Sequence, residues 1–310
     1  MTAVWIILAA LLAVVLLGTV LFLIACRRGP VPDLTKPEVI AKWGRAEQTE
    51  EILAGVRLMQ DAENIFLPSY DGLRLHGRLL QQPGAKGTIL LFHGYRSCWQ
   101  IDFGLVLPYY YDTLGYSLLL VDQRAHGQSQ GKYLTFGVRE RMDVISWATY
   151  MGQKLGPDAP LILGGLSMGA TTVLMASCFE FPANVRAIIA DCGFTSPYEI
   201  AKSVLRRDYP RLPVGLLLPI CGLFTRLYAG FGLHDASTLD AVRESRYPIL
   251  FIHGTGDTFV PCEMTKEAYA ACTSEKELIL VDSAEHGKSY LVEKGRVEEA
   301  LCRFLATHTE

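Results

Sequence analysis

Short apolar runs alternate with helical patterns through most of the chain. Two alternating runs, at 65–68 and 73–80, flank Asp71-Gly72 and predict a β-hairpin. Further strands are predicted at 88–92, 116–121, 161–163, 185–190, 248–252 and 277–281. Helical patterns are predicted at 136–155, 170–178, about 263–271 and about 289–307. Strands that alternate with helices indicate a mostly parallel sheet with helices on both faces.

One segment, about residues 195–245, interrupts this alternation. It contains helical stretches and a strongly apolar run at 214–233. Its position predicts a helical cap inserted over the carboxyl ends of the strands. We expect the apolar run to line an acyl site, although ordinary helix packing would explain it equally well.

The first thirty residues predict a membrane anchor. Residues 4–25 carry no charged side chain, and 22 helical residues extend about 33 Å, enough for the bilayer core. Trp5 marks one edge, Arg27 and Arg28 mark the other, and no Lys or Arg precedes the span. The positive-inside rule therefore predicts a single-pass protein with its catalytic domain in the cytoplasm.

Two alternatives to an uncleaved anchor remain open. Leu23-Ile24-Ala25-Cys26 resembles a bacterial lipobox, which would make Cys26 a lipidated, extracytoplasmic N-terminus. An ordinary signal peptide is the other alternative. The anchor is favoured because a signal peptide normally has a basic first region and a shorter apolar stretch.

A linker follows the predicted anchor. Pro30, Pro32 and Pro37 favour a short stiff connection. Thr35-Lys36-Pro37-Glu38 has capping-box spacing and predicts a helix to about residue 62 that lies against the domain. The chain is thus divided into a transmembrane anchor at 1–28, a linker and juxtamembrane helix at 29–62, and a main domain at 63–310.

Composition narrows the function classes. The chain has 310 residues, half of them apolar, and a net charge of −3, which gives no reason to expect a nucleic-acid partner. Its eight cysteines form no C-x-x-C pair, which favours reduced thiols over disulfides or a zinc site. The seven histidines are dispersed and no H-E-x-x-H occurs, so no metal is expected.

The strongest chemical signal is Gly165-Leu166-Ser167-Met168-Gly169. It follows a predicted strand and precedes a predicted helix, which is the context of a nucleophile elbow. Ser167 must occupy a tight turn there, and the strand and helix pass so closely that Gly165 and Gly169 have little room for a side chain. The backbone N–H of Met168, at the helix N-terminus, is placed to bind an oxyanion.

A nucleophilic serine needs a base, and the base needs an acid that orients it. Asp257 and His286 each follow a predicted strand, in the chain order Ser, Asp, His. His286 is the predicted base, Asp257 its orienting acid, and the backbone N–H of Tyr95 the second oxyanion donor.

Other residues compete for two of these roles. Asp191, Asp282 and Glu285 are alternatives to Asp257. His93 and His253 are alternatives to His286, although a histidine before glycine at a strand end more often binds loop backbone.

As a set, these motifs resemble the α/β-hydrolase superfamily, and within it the serine-aminopeptidase-like (S33) and monoacylglycerol-lipase-like group. The similarity extends over about residues 65–306. It implies an eight-stranded sheet with a lid, a Ser-Asp-His triad and no cofactor. The first oxyanion loop reads His93-Gly94-Tyr95-Arg96 rather than His-Gly-Gly-Gly, which argues against the esterases that use that loop. The motifs that carry the resemblance are His93-Gly94, Asp122-Gln123-Arg124-Ala125-His126-Gly127, Gly165-Leu166-Ser167-Met168-Gly169, Asp257-Thr258-Phe259-Val260-Pro261 and Glu285-His286-Gly287.

Three functions follow as hypotheses. The first is a membrane-anchored serine hydrolase that cleaves carboxylic esters or thioesters, with a lipid-like acyl substrate. The second is an aminopeptidase-type serine peptidase, in which Glu199 or Asp208 would bind the substrate's amino group. The third is a catalytically silent fold that serves as a membrane-tethered binding module.

Overall fold

A single eight-stranded sheet forms the centre of the protein. The computed structural model describes residues 1–32, 39–40 and 46–309. The strands are β1 (Glu63–Pro68), β2 (Arg74–Leu80), β3 (Thr88–Phe92), β4 (Ser117–Asp122), β5 (Leu161–Leu166), β6 (Val185–Asp191), β7 (Ile249–Gly254) and β8 (Lys276–Val281). Their order is β1-β2-β4-β3-β5-β6-β7-β8, with β2 antiparallel to both neighbours and all other pairs parallel. The predicted mostly parallel sheet is confirmed.

Helices cover both faces of this sheet. They are α1 (Thr2–Cys26), α2 (Thr49–Leu58), α3 (Trp99–Phe103), α4 (Glu140–Leu155), α5 (Met168–Ala176), α6 (Pro197–Asp208), α7 (Val214–Ala229), α8 (Thr238–Glu244), α9 (Cys262–Ala271), α10 (Ser289–Val292) and α11 (Lys294–Thr309). One apolar cluster packs α4, α5, α8 and α9 against the sheet, and a second packs α3 and α11 against the opposite face.

The central strands are apolar throughout because both of their faces are buried. In β3, Leu90 and Phe92 belong to the first cluster, while Ile89 and Leu91 belong to the second. β4 divides its side chains in the same alternating way. The continuous apolar runs in the sequence therefore correspond to strands with two covered faces.

The segment predicted as a cap contains three helices with different contacts. α6 packs against α7, and α7 also packs against α1. α8 instead packs against α5 and α9 and contributes Val242 to the core over the sheet. The third helix of the predicted cap range thus belongs to the layer that covers the sheet.

One predicted helix begins later than expected, and the start of another lies outside the described residues. The helix predicted from residue 136 begins at Glu140, because Phe136 and Gly137 have positive φ values of 53° and 93°. The buried Glu140 carboxylate accepts hydrogen bonds from the Thr135 and Gly137 N–H groups and ties down this turn. The capping box predicted at 35–38 lies outside the described residues; within the predicted range, residues 39–40 are helical and α2 covers Thr49–Leu58.

The long apolar helix α1 is joined to the domain at its C-terminal end. Phe22 is buried against Tyr133 and Tyr228, with ring centroids 4.8 and 5.1 Å apart. The Cys26 side chain is buried, and its carbonyl accepts a hydrogen bond from the Leu134 N–H at 2.9 Å. By length and composition α1 is the one helix in the described residues that qualifies as a membrane span. Its last turns are also part of the folded domain.

This docking predicts unequal roles for apolar residues along α1. Phe22→Ala should lower the free energy of unfolding of the domain by about 3 kcal/mol, because it opens a cavity among packed rings. Leu11→Ala, at an exposed position of the same helix, should leave the domain's stability unchanged. Thermal unfolding of the full chain in detergent measures both, and equal effects would contradict the docking.

Candidate active site

The strand-to-helix turn at Ser167 positions the predicted nucleophile. β5 ends at Leu166 and α5 begins at Met168, so Ser167 is the only residue between them. Its φ of 56° and ψ of −116° are strained values for a residue with a side chain. The Ser167 N–H donates a hydrogen bond to the Asp191 carbonyl at 2.8 Å, which anchors the turn to β6.

Two glycines allow this turn. A Cβ at Gly169 would overlap the Phe92 carbonyl at the end of β3, and a Cβ at Gly165 would overlap the backbone of Gly169. Both conflicts are with main-chain atoms, which cannot rotate away. The spatial requirement predicted from G-x-S-x-G is therefore present in the structure.

The structure brings the predicted triad residues together in one hydrogen-bonded chain. Ser167 Oγ lies 2.9 Å from His286 Nε2, and His286 Nδ1 lies 2.6 Å from Asp257 Oδ2. Asp257 follows β7 and His286 follows β8, so adjacent parallel strands deliver both to the same edge of the sheet. In this arrangement His286 Nδ1–H donates to Asp257, which leaves Nε2 free to accept the serine proton.

Two of the alternative acids have other partners. Glu285 pairs with Lys288 at 2.6 Å, and Asp282 accepts a hydrogen bond from the Thr255 hydroxyl at 3.0 Å. Asp191, the third alternative, accepts a hydrogen bond from the Ser289 hydroxyl at 3.4 Å through its carboxylate. The geometry thus favours Asp257 as the partner of His286.

The Asp257 carboxylate is buried and heavily hydrogen-bonded. Its Oδ1 accepts from the N–H groups of Phe259 and Val260, and its Oδ2 accepts from His286 and His253. Burial alone would raise the pKa of Asp257, but these hydrogen bonds outweigh it and hold the pKa well below its usual value. These hydrogen bonds therefore favour the charged form of the carboxylate, which is the form that the predicted orienting acid needs.

The two histidines considered as alternative bases bind the loops around the site. His253 lies 3.1 Å from Asp257 and 2.9 Å from the Val260 carbonyl through one nitrogen, Nε2. His93 Nδ1 bonds the Gly94 carbonyl, and its Nε2 accepts from the Gln123 N–H. Neither reaches Ser167 through a hydrogen bond among the described residues.

The loop that carries Tyr95 is held from both sides. The Gly94 N–H donates to the buried Asp102 carboxylate at 2.6 Å, and the Arg96 N–H donates to His126 Nε2 at 3.1 Å. Asp102 also accepts a hydrogen bond from the Ser97 hydroxyl. The Tyr95 N–H lies between these two fixed amides. The Met168 N–H is the first amide of α5, where a helix leaves donors without an internal acceptor.

His126 can hold the loop only in its neutral form. Its Nδ1–H donates to the Arg124 carbonyl at 2.9 Å, so Nε2 must remain an acceptor. Burial, together with nearby His93, lowers the pKa of His126 to about 3. Sequence reasoning missed Asp102 and this role of His126. The sequence signal for His126 was its place in the loop after β4, whereas Asp102 stands in no motif.

An open cleft of about 610 Å³ lies over Ser167. Tyr95, Phe259 and Leu166 supply its apolar surface, and Arg96, Glu285 and Lys288 supply charge. Residues of the apolar cap run at 214–233 are not among those that line it. In this structure α7 packs against α1 and α6, which agrees with the alternative that the run serves ordinary helix packing.

One group of possible metal ligands occurs in the described part of the chain. Cys192, Asp257 and His286 place ligand atoms within 4.8 Å of one another. Burial raises the pKa of Cys192 well above its usual value, so the thiol stays protonated and is a poor ligand. Asp257 and His286 already bind each other, so these residues fit an acid–base pair better than a metal site.

The elbow predicts a sharp contrast between two glycine substitutions. Gly169→Ala should destabilise the protein by about 3 kcal/mol and abolish any activity, because the added methyl meets main-chain atoms. Gly222→Ala, inside α7, meets only Leu233 side-chain atoms at 3.7 and 3.8 Å and should stabilise by about 0.5–1 kcal/mol. Chemical denaturation measures both, and a silent Gly169→Ala would contradict the close approach.

The neutral His126 predicts a loss of stability in acid. The folded imidazole resists protonation down to about pH 3, whereas the unfolded one protonates near pH 6.5, so stability falls as the pH drops between these values. From pH 7 to pH 5 the loss is roughly 2 kcal/mol. His126→Gln keeps an acceptor and should remove this part of the pH dependence, which thermal unfolding at the two pH values measures. His234→Gln, at an exposed histidine, is the control and should retain it.

Comparisons with known proteins agree with the fold. Residues 87–211 match a family profile described as alpha/beta hydrolase fold. The esterase Pf2001 of Pyrococcus furiosus superposes with a TM-score of 0.65 and 23% identity, over 82% of this chain and 95% of that one.

Sequence relatives include the uncharacterized protein YqkD of Bacillus subtilis, 29% identical over 77% of each chain. The lysophosphatidylserine lipase ABHD12 of Danio rerio is 28% identical over 62% of this chain and 48% of that protein. The thiohydrolase aneE of Aspergillus aculeatus is 30% identical over 39% of this chain and 38% of that protein. With its sheet order, its strand-to-helix turn at Ser167 and these matches, the chain has the α/β-hydrolase fold.

Proposed function

We propose that the protein is a membrane-anchored serine hydrolase that cleaves carboxylic esters or thioesters through an acyl-enzyme on Ser167. The observation that carries this proposal is the hydrogen-bonded chain from Ser167 through His286 to Asp257. The same chain of contacts argues against a silent binding module, which would have no need of a strained serine turn next to a free imidazole nitrogen.

Each residue has a role in the proposed reaction. His286 Nε2 removes the Ser167 proton as Oγ attacks the acyl carbonyl, and Asp257 stabilises the imidazolium that results. The tetrahedral oxyanion binds the N–H groups of Tyr95 and Met168. The intermediate collapses when His286 returns the proton to the leaving alkoxide or thiolate. Water then attacks the acyl-enzyme while His286 removes its proton. The carboxylic acid is released as His286 returns that proton to Ser167 Oγ.

Acyl compounds are the substrate class that the site supports best. The cleft joins apolar walls from Tyr95 and Phe259 to the predicted nucleophile. Similar proteins carry the names esterase, thiohydrolase and lysophosphatidylserine lipase, all of which act on acyl groups. Together with the motifs, these names support assignment to the monoacylglycerol-lipase-like group and a lipid-like acyl substrate.

The peptidase alternative has less support. Glu199 pairs with Lys202 and Asp208 pairs with Arg207, and neither acid is among the residues that line the cleft. Asp102 does line it, but its two oxygens accept hydrogen bonds from Gly94 and Ser97. Glu285 also lines the cleft, but it pairs with Lys288 at 2.6 Å, so each described carboxylate that lines the cleft already has a partner.

The contacts of α1 support an uncleaved anchor. Cleavage before Cys26 would remove Phe22 and strip the packing from Tyr133 and Tyr228. A lipidated Cys26 would also have to leave its buried position. With Arg27 and Arg28 at the end of the helix, the domain is proposed to lie on the cytoplasmic side. The proposed organisation is an anchor at 1–28, a connection at 29–62 and a hydrolase domain at 63–310 with α6 and α7 as its cap.

The proposed mechanism predicts which variants lose activity on short-chain aryl esters. Ser167→Ala and His286→Ala should each lower kcat by about 10³-fold or more, and Asp257→Asn should do so by a similar factor because the imidazole loses its orientation. Steady-state hydrolysis by the full chain in detergent measures this. Ser203→Ala on α6 is the matched control and should be silent.

Two results would contradict the assignment. Near-normal activity of folded Asp257→Asn would mean that another acid orients His286. Turnover of aminoacyl amides that disappears when their amino group is acetylated would favour the peptidase.

A further inference from the structure

The cap helix α7 exposes a stripe of leucines. Leu216, Leu223 and Leu227 are 62%, 54% and 64% exposed. With the half-buried Ile220 they follow the i, i+4, i+7, i+11 spacing of one helix face. Arg226 is the only charged residue between Val214 and Ala229. A contiguous exposed apolar surface of this kind marks a contact with lipid or with another protein.

The other side of α7 is fixed to the predicted membrane helix. The Phe224 ring packs so closely on Gly18 of α1 that a side chain there would overlap it. The Thr19 and Tyr228 hydroxyls lie 3.0 Å apart, and the Phe22 ring lies on Tyr228. The C-terminal half of α7 therefore lies beside the last third of α1.

The length of α1 places this contact at the level of the bilayer. The part that precedes the contact, from residue 2 to 17, has 16 of the 25 residues of α1 and is about 24 Å long. A hydrocarbon core is about 30 Å thick. The remaining depth corresponds to about one turn of α1 at Gly18–Phe22, so Phe224 and Tyr228 of α7 lie near the boundary between acyl chains and headgroups.

Basic residues surround the end of α1 at the expected level of the lipid phosphates. Arg28 N–H donates to the Lys132 carbonyl at 3.0 Å, and the Arg96 guanidinium donates to the Arg27 carbonyl at 2.9 Å. These four residues line one surface cleft together with Leu23 and Ile24, and no acidic residue is among those that line it. This charge is complementary to the headgroups of anionic lipids.

We propose that α7 is embedded by its leucine stripe in the same leaflet that α1 enters, with the basic cluster of Arg27, Arg28, Arg96 and Lys132 against the phosphates. The inference rests on the proposed membrane anchor and goes beyond it, since it assigns a second contact with the lipid bilayer. It also orients the cleft. Tyr95 and Arg96 line the cleft over Ser167, and the Tyr95 hydroxyl donates to the Ala25 carbonyl at 2.8 Å. The mouth of the site thus adjoins the membrane surface.

Quenching of tryptophan by brominated lipids tests this contact. The full chain is reconstituted into vesicles of phosphatidylcholine and phosphatidylglycerol whose acyl chains carry bromine. L223W and L227W, each in a W5F background, should lose a larger fraction of their fluorescence than W5F alone does when vesicles without bromine are replaced by brominated ones. Both leucines are exposed, so the substitutions should not disturb folding. F66W in the same background places a tryptophan at an exposed apolar position of β1 and should not be quenched.

The outcomes distinguish failure of the proposed contact between α7 and lipid from failure of the proposed anchor α1. Quenching of Trp5 in the otherwise unaltered chain reports that α1 lies in the bilayer. Quenched Trp5 with unquenched L223W and L227W would overturn the inference and leave the anchor intact. Blue-shifted but unquenched emission from L223W would assign the stripe to a second copy of the chain. Equal quenching of F66W would show unspecific adhesion and would also overturn the inference.

Discussion

The close approach of β5, α5 and the end of β3 is the constraint on which the site depends. Without side chains at Gly165 and Gly169, main-chain atoms come into direct contact, and Ser167 is forced to a φ of 56°. This strain aims the hydroxyl away from the sheet and towards His286. Because the turn is rigid, the position of the Met168 N–H at the start of α5 is fixed by the same contact.

The second half of the site is held by polar groups rather than by packing. Asp102 and His126 bind the amides on either side of Tyr95: Asp102 accepts from two donors, and His126 accepts only while neutral. Tyr95 also reaches the last turn of α1 through its hydroxyl. The loop proposed to bind the oxyanion, the cleft and α1 are therefore one connected structure.

The sequence was sufficient for features carried by local pattern. The strand at 88–92 was predicted to the residue, and Ser167, Asp257 and His286 were predicted as a triad because each stands at or soon after the end of a strand in a parallel sheet. Contacts between distant residues left no such pattern. The packing of Phe22 on Tyr228 joins residues about two hundred positions apart, and Asp102 acts from a short helix without a motif. The partners of the apolar run at 214–233 could not be predicted either, because such a run does not indicate which neighbour it packs against.

Mapping the site of a fluorophosphonate adduct tests the central claim most directly. The full chain is needed, because removal of α1 would expose the residues that Phe22 and Cys26 cover. We predict one adduct per chain, on the peptide that contains Ser167, as found by mass spectrometry after digestion. An unmodified Ser167 in folded protein, or an adduct on a different residue, would contradict the account.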